Sequence, residues 1–237
     1  MVNPSKRKQK TKQAKKKKIQ KQLSKKNKKQ IQQQRVKERQ SRFHSWVDSL
    51  PYFDPDPTKL RFWRDSFLVF IAAGLLGHVI DLLWRVVTNV PVDTWIWQLM
   101  PLVAEPYGFA ALALLWFVYP LARSKKVAWF GVYVIGAVVT TAVELLCGLV
   151  LLTVHGGYNP YWDYSHLPFN LFGQICLYQS VMFGLVAVAF VYFVFPWFDN
   201  KMRTPHKWVI NGIVIAVSIW YAVSLVFQAL MGFRIII

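Results

Sequence analysis

Cysteine is nearly absent, with two in 237 residues, and glycine and proline stand at 12 each. Two thiols cannot staple a small secreted scaffold, and so little glycine excludes a collagen-like repeat. Acidic residues are scarce as well, 11 Asp+Glu against 29 Lys+Arg, for a formal net charge of +18. The chain has no phosphate-cradling loop ending in Gly-Lys-Ser/Thr, no His-Glu-x-x-His helix and no Gly-x-Ser-x-Gly turn. It therefore hydrolyses no nucleotide by a Walker-type site, and no metal, cofactor or catalytic residue is assigned to it. The N-terminus also lacks the apolar core and cleavage site of a secretory leader.

What is present falls into two regions. Residues 1–42 hold 18 Lys/Arg and one acid, Glu38. The remainder is almost neutral and rich in Trp, Phe and Tyr, and its apolar runs of about 20 residues have the length that crosses ~30 Å of hydrocarbon. The reading is an all-α, polytopic transmembrane helix bundle of about five spans with a disordered Lys-rich N-terminal arm. It comprises the arm (1–42), a linker or interfacial segment (43–61) and a transmembrane domain (62–237). Dense like charge with nothing to bury predicts disorder in the arm. Anionic lipid headgroups are its expected partner, after simple anchoring of topology. Nucleic acid is disfavoured, since no aromatic residue is interleaved to stack on bases.

The spans are expected at about 62–87, 95–121, 127–154, 169–198 and 208–233. Pro101 and Pro106 make the first half of the second irregular or re-entrant, with a helix from Tyr107. Short-loop bases set the orientation. Arg123, Lys125, Lys126, Lys201, Arg203 and Lys207 fall on the side of the arm, and the two opposite loops hold none. The N-terminus is thus cytoplasmic, the C-terminus extracellular, in a multi-pass protein of a bacterial cell membrane.

Ionisable residues then gather at one depth. At 1.5 Å per residue, Asp81 lies roughly 24 Å beyond Asp65 and Glu144 roughly 27 Å beyond Lys126. Glu105 precedes the second helix on the same outer side. His78, Asp81 and Arg85 share a helix face. Charge at membrane depth faces a protein interior or a wet cavity, so these groups either tie the bundle together or line an outward cleft. The loop beyond the third span adds Trp162, Asp163 and Tyr164, and Asn170 and Gln174 are read as continuing into the fourth span. Aromatic walls with a carboxylate suit a cationic or sugar-like group. Tyr107 completes the ligand-binding set.

At this loop the sequence resembles a known family. Glu144, Cys147 and Gly148, then Trp162 to Ser165, Pro168, Asn170, Gly173, Ile175 to Leu177, Ser180, Gly184 and Pro196 resemble the putative ABC-transporter type IV family. The Gly77-x-x-x-Asp81 spacing and the Tyr107-Gly108 pair resemble its first and second spans. The resemblance covers about residues 66–200 and implies a bacterial permease; with no Walker-type loop in the chain, any ATPase partner is expected to be a separate subunit. The expected function is transport-related binding of a small solute or lipid headgroup in an outward polar cleft. Two alternatives stand beside it. One is an intramembrane enzyme with Glu144 or Asp81 as general base and His155 or His78 as partner; the other is a non-enzymatic scaffold or envelope factor.

Overall fold

In a computed structural model, residues 4–87, 103–159, 161–203 and 205–235 are described. The chain divides into two units, Met1–Ser49 and Leu50–Ile237.

The first unit is one helix, α1 (Pro4–Ser49). Pro4 sits at its first position, where a missing N–H costs nothing, and no further proline or glycine occurs before Pro51. Its apolar residues are scattered around the axis, and Ile31 and Val36 remain about half exposed. Intrinsic propensity of Lys, Gln and Arg favours this helix, and repulsion among the same lysines opposes it. The helix stops where Leu50 precedes Pro51, a position that disfavours helical backbone.

Among its described residues the second unit contains five helices long and apolar enough to span a membrane, over Leu60–Leu83, Glu105–Arg123, Trp129–Val154, Leu177–Arg203 and Trp208–Val226. The first belongs to α2 (Leu60–Val87). The second is α3 (Glu105–Ala113), a π-helical turn π1 (Leu114–Val118) and α4 (Tyr119–Arg123). The third is α5 (Trp129–Val154). A short antiparallel hairpin follows, β1 (Asn170–Leu171) and β2 (Ile175–Cys176), with Asn170 opposite Cys176. The fourth span is α6 (Leu177–Ala189), π2 (Phe190–Val194) and α7 (Phe195–Arg203), and the fifth lies in α8 (Lys207–Ile235).

One difference from the expected layout matters. The fourth span starts at Leu177, so the apolar run from Phe169 is not one helix. Phe169, Phe172 and Gly173 have φ of 55°, 55° and 68°, which turns the chain back before the helix begins. The segment 88–102, where irregular entry into the second span is expected, lies outside the described residues.

The first four spans form two helix pairs that repeat each other. Phe67, Val69, Phe70, Asp81, Leu82 and Leu83 match Phe130, Val132, Tyr133, Glu144, Leu145 and Leu146 at one constant offset. In the second helix of each pair, Gly108, Ala111, Ala113, Phe117, Val118, Tyr119 and Pro120 match Gly184, Ala187, Ala189, Phe193, Val194, Phe195 and Pro196. The contacts repeat with the residues. A Cβ on Gly108 would lie 2.5 Å from the Phe70 ring, and one on Gly184 2.6 Å from the Tyr133 ring. Both second helices carry the π-turn at the same place. Tyr119 N–H donates to Leu114 O and Phe195 N–H to Phe190 O, each five residues back. The cause is the following proline, which offers no N–H to the carbonyl four residues earlier, so the ladder slips. Matched residues also meet, since Tyr119 packs edge-on against Phe195 with ring centroids 4.7 Å apart. The fifth span stands outside the repeat, with Val217, Trp220 and Tyr221 packed on the core of Phe70, Ile71 and Val103.

Candidate functional site

The spans carry three carboxylates remote from the arm-side ends, and each accepts a hydrogen bond from a tyrosine of another segment. Tyr107 of α3 donates to Asp81 Oδ1 of α2 at 2.7 Å. Tyr164 of the loop donates to Glu144 Oε1 of α5 at 3.1 Å. Tyr221 of α8 bonds Glu105 at the start of α3. A phenol suits this task, because it brings a donor to the acid and buries a ring in the surrounding apolar layer. The three pairs form one neighbourhood: Glu144 lies within electrostatic range of the Tyr107 hydroxyl, and Cys147 within range of both Glu144 and Glu105. Glu144 Oε2 is buried and has no hydrogen-bond partner among the described residues.

Close helix approach makes the geometry. A Cβ on Gly77 would lie 2.2 Å from Tyr107 Cγ, so glycine there lets the Tyr107 ring lie across α2 and reach Asp81, one turn further on. His78 is 8% exposed and faces the Asp81 charge. The side chain of Arg85 lies outside the described residues.

The loop residues have a different arrangement. Asp163 is exposed, accepts the Ser165 N–H at 2.8 Å and pairs with the Ser165 hydroxyl at 2.9 Å. The Ser165 amide, followed by its hydroxyl, holds the Asp163 carboxyl below the usual carboxylate range. Asn170 donates to Ser165 O and Leu167 O and accepts the Gly173 N–H. Trp162 Nε1 donates to Gln174 O at 3.0 Å. Gln174 is 3% exposed, and its Oε1 accepts from Asn159 at 2.6 Å. A Cβ on Gly148 would lie 2.6 Å from the same Oε1, so the hairpin rests directly on α5. These bonds build the loop and hold Tyr164 over Glu144; burial and the adjacent Glu144 push the Tyr164 hydroxyl's pKa up, keeping it a donor. Of the proposed ligand set, Asp81, Glu105, Tyr107, Glu144 and Tyr164 come together with His78. Trp162, Asp163, Asn170 and Gln174 bond within the loop. His155 lies at the end of α5, where its ring bonds Leu151 O at 3.0 Å.

Tyr221 is absent from the residues that sequence reasoning selects, because one tyrosine in an apolar span has no local signal. The repeat was the available signal for the rest. Asp81 and Glu144 occupy the same position in the two pairs, whereas the match for Tyr107 is Phe183, which has no hydroxyl. The second pair obtains its donor from Tyr164, in the longer connection that carries the hairpin.

Paired helices in repeat, proline-associated π-turns and five described helices long and apolar enough to cross a membrane make this a multi-pass membrane protein. A family model described as putative ABC-transporter type IV matches residues 68–229, and the chain belongs to that family. It is a transport-related membrane protein. No curated protein and no solved structure matches it.

Proposed function

We propose that this protein is the membrane-embedded subunit of a transporter whose ATPase is a separate chain. In this reading it receives a small cationic solute, or the amine of a lipid headgroup, at the layer of Asp81, Glu105 and Glu144. The observation that carries it is the set of three carboxylate–tyrosine pairs in one neighbourhood. Tyrosine hydroxyls orient acids without neutralising them, so a cation entering between the pairs meets negative charge and ring faces together. Asp163, Trp162, Asn170 and Gln174 serve the site by shaping the loop that presents Tyr164. The base distribution supports a cytoplasmic arm, with the carboxylate layer toward the outer face. In the cell the arm attracts anionic headgroups of the inner leaflet.

The test is ligand-induced thermal stabilisation of the detergent-purified protein against ethanolamine, choline, putrescine and spermidine, with glucose and phosphate as controls. At least one amine should raise the melting temperature in a saturable way. Asp81→Asn and Glu144→Gln, still folded, should abolish that rise. Stabilisation by no amine, or stabilisation that survives both substitutions, overturns the reading.

A further inference from the structure

The arm-side end of the bundle holds a second construction, far from the carboxylates. Residues 50–53 cross it without regular secondary structure, and three successive carbonyls of that segment are captured from the bundle. Tyr119 donates its hydroxyl to Pro51 O at 2.6 Å, and Arg123 Nη1 donates to Pro51 O at 2.8 Å and to Leu50 O. Arg203 Nη2 donates to Tyr52 O at 2.9 Å, while its Nε pairs with Asp199. The Arg123 guanidinium also lies over the Tyr52 ring, 5.4 Å from its centroid. Phe53 is buried edge-on against Phe195, with centroids 6.0 Å apart.

The donors come from both repeats. Tyr119 and Arg123 close the first helix pair; Phe195, Asp199 and Arg203 close the second. The segment thus bridges a place where matched residues, Tyr119 and Phe195, touch each other. It does so just after the two π-turns, the points at which each helix departs from a regular ladder. We infer that residues 50–53 form a latch across the arm-side ends of the two helix pairs, and that releasing it lets the pairs separate at the Tyr119–Phe195 contact. Under the transport reading above, on which only its purpose rests, this is the gate on the side opposite the carboxylate layer.

The latch is an inference about distance and can be tested without any ligand. Spin labels at Ser124→Cys and Lys201→Cys, with Cys147 and Cys176 replaced by alanine, report the separation of the two ends by double electron–electron resonance. The otherwise unaltered full-length protein should give one narrow distribution. Arg123→Ala with Arg203→Ala should add a population longer than that distribution's width. Tyr119→Phe, which removes one hydroxyl and leaves the packing, should give a smaller fraction of the same population. An unchanged distribution in the folded Tyr119→Phe and Arg123→Lys proteins, with the double alanine variant also unchanged, overturns the latch. Amine binding failing while these distances shift would sink the ligand reading and leave the latch standing.

Discussion

A single hydroxyl separates the two repeats at their acids. Tyr107 serves Asp81 from within its own helix pair, while Glu144 depends on Tyr164 from the loop. Replacing Tyr164 by Phe leaves Glu144 Oε1 without this donor, and hydrogen bonds to charged groups are worth roughly 1.5–3 kcal/mol. Thermal unfolding should register a loss of that order. The repeat makes a sharper forecast: Phe183→Tyr in the Tyr164→Phe background should restore some of the loss, because position 183 corresponds to Tyr107. Gly77→Ala should be worse than its single methyl suggests, since its Cβ would lie 2.2 Å from the Tyr107 ring. Overpacking of this kind costs roughly 1–3 kcal/mol, and here it also drives Tyr107 from Asp81. Asp163 has a pH signature. Its carboxyl is held below the ordinary range by the Ser165 bonds, so their stabilisation is complete above the unfolded value, near 3.9, and fades as pH falls through the lower folded value. Proteolysis within 161–173 should therefore be unchanged from neutral pH down to about 4 and rise below it, and Asp163→Asn should show the raised rate at neutral pH.

Elements were legible to different degrees. The five spans follow from the length and hydropathy of their runs, and the observed helices lie close to the expected bounds for the first, third and fifth. The fourth was misplaced at its start because an apolar run hides a turn. The turn uses Phe169 and Phe172 at positive φ, residues that seldom adopt it, and only Gly173 hints at it. Phe169 and Phe172 are also 81% and 70% exposed, as side chains facing lipid or its interface can be. The π-turns are legible only through Pro120 and Pro196, and only once the two helices are laid side by side. Pro120→Ala returns a donor to Trp116 O and should let the ladder close regularly. That would turn Arg123 by about 100°, one residue's rotation, away from Pro51. The same spin-label pair should then report the longer separation.

At the scale of the whole molecule, half of the candidate site's arrangement was legible. Depth arithmetic found Asp81, Glu105 and Glu144, because charge in an apolar run is conspicuous. It could not find which hydroxyl serves which acid, since that depends on the crossing of segments far apart in sequence. The arm shows the reverse: its charge is obvious, and residues 27–42 of its helix are all exposed, which leaves the sequence no packed face to display there. Removal of residues 2–42 should leave the melting temperature of the body unchanged. The intact protein, held in nanodiscs, should bind vesicles containing phosphatidylserine and release them as salt rises, because screening shortens the reach of exposed charge to about 8 Å at physiological ionic strength. Binding that ignores salt or lipid charge would contradict an electrostatic role.

The latch accepts every one of its polar bonds on backbone carbonyls. A carbonyl survives any change of side chain, so Leu50 and Tyr52 can vary without deleting an acceptor, whereas Tyr119, Arg123 and Arg203 cannot vary without deleting a donor. Random mutagenesis should therefore find its sensitive positions on the bundle and very few on the segment that moves.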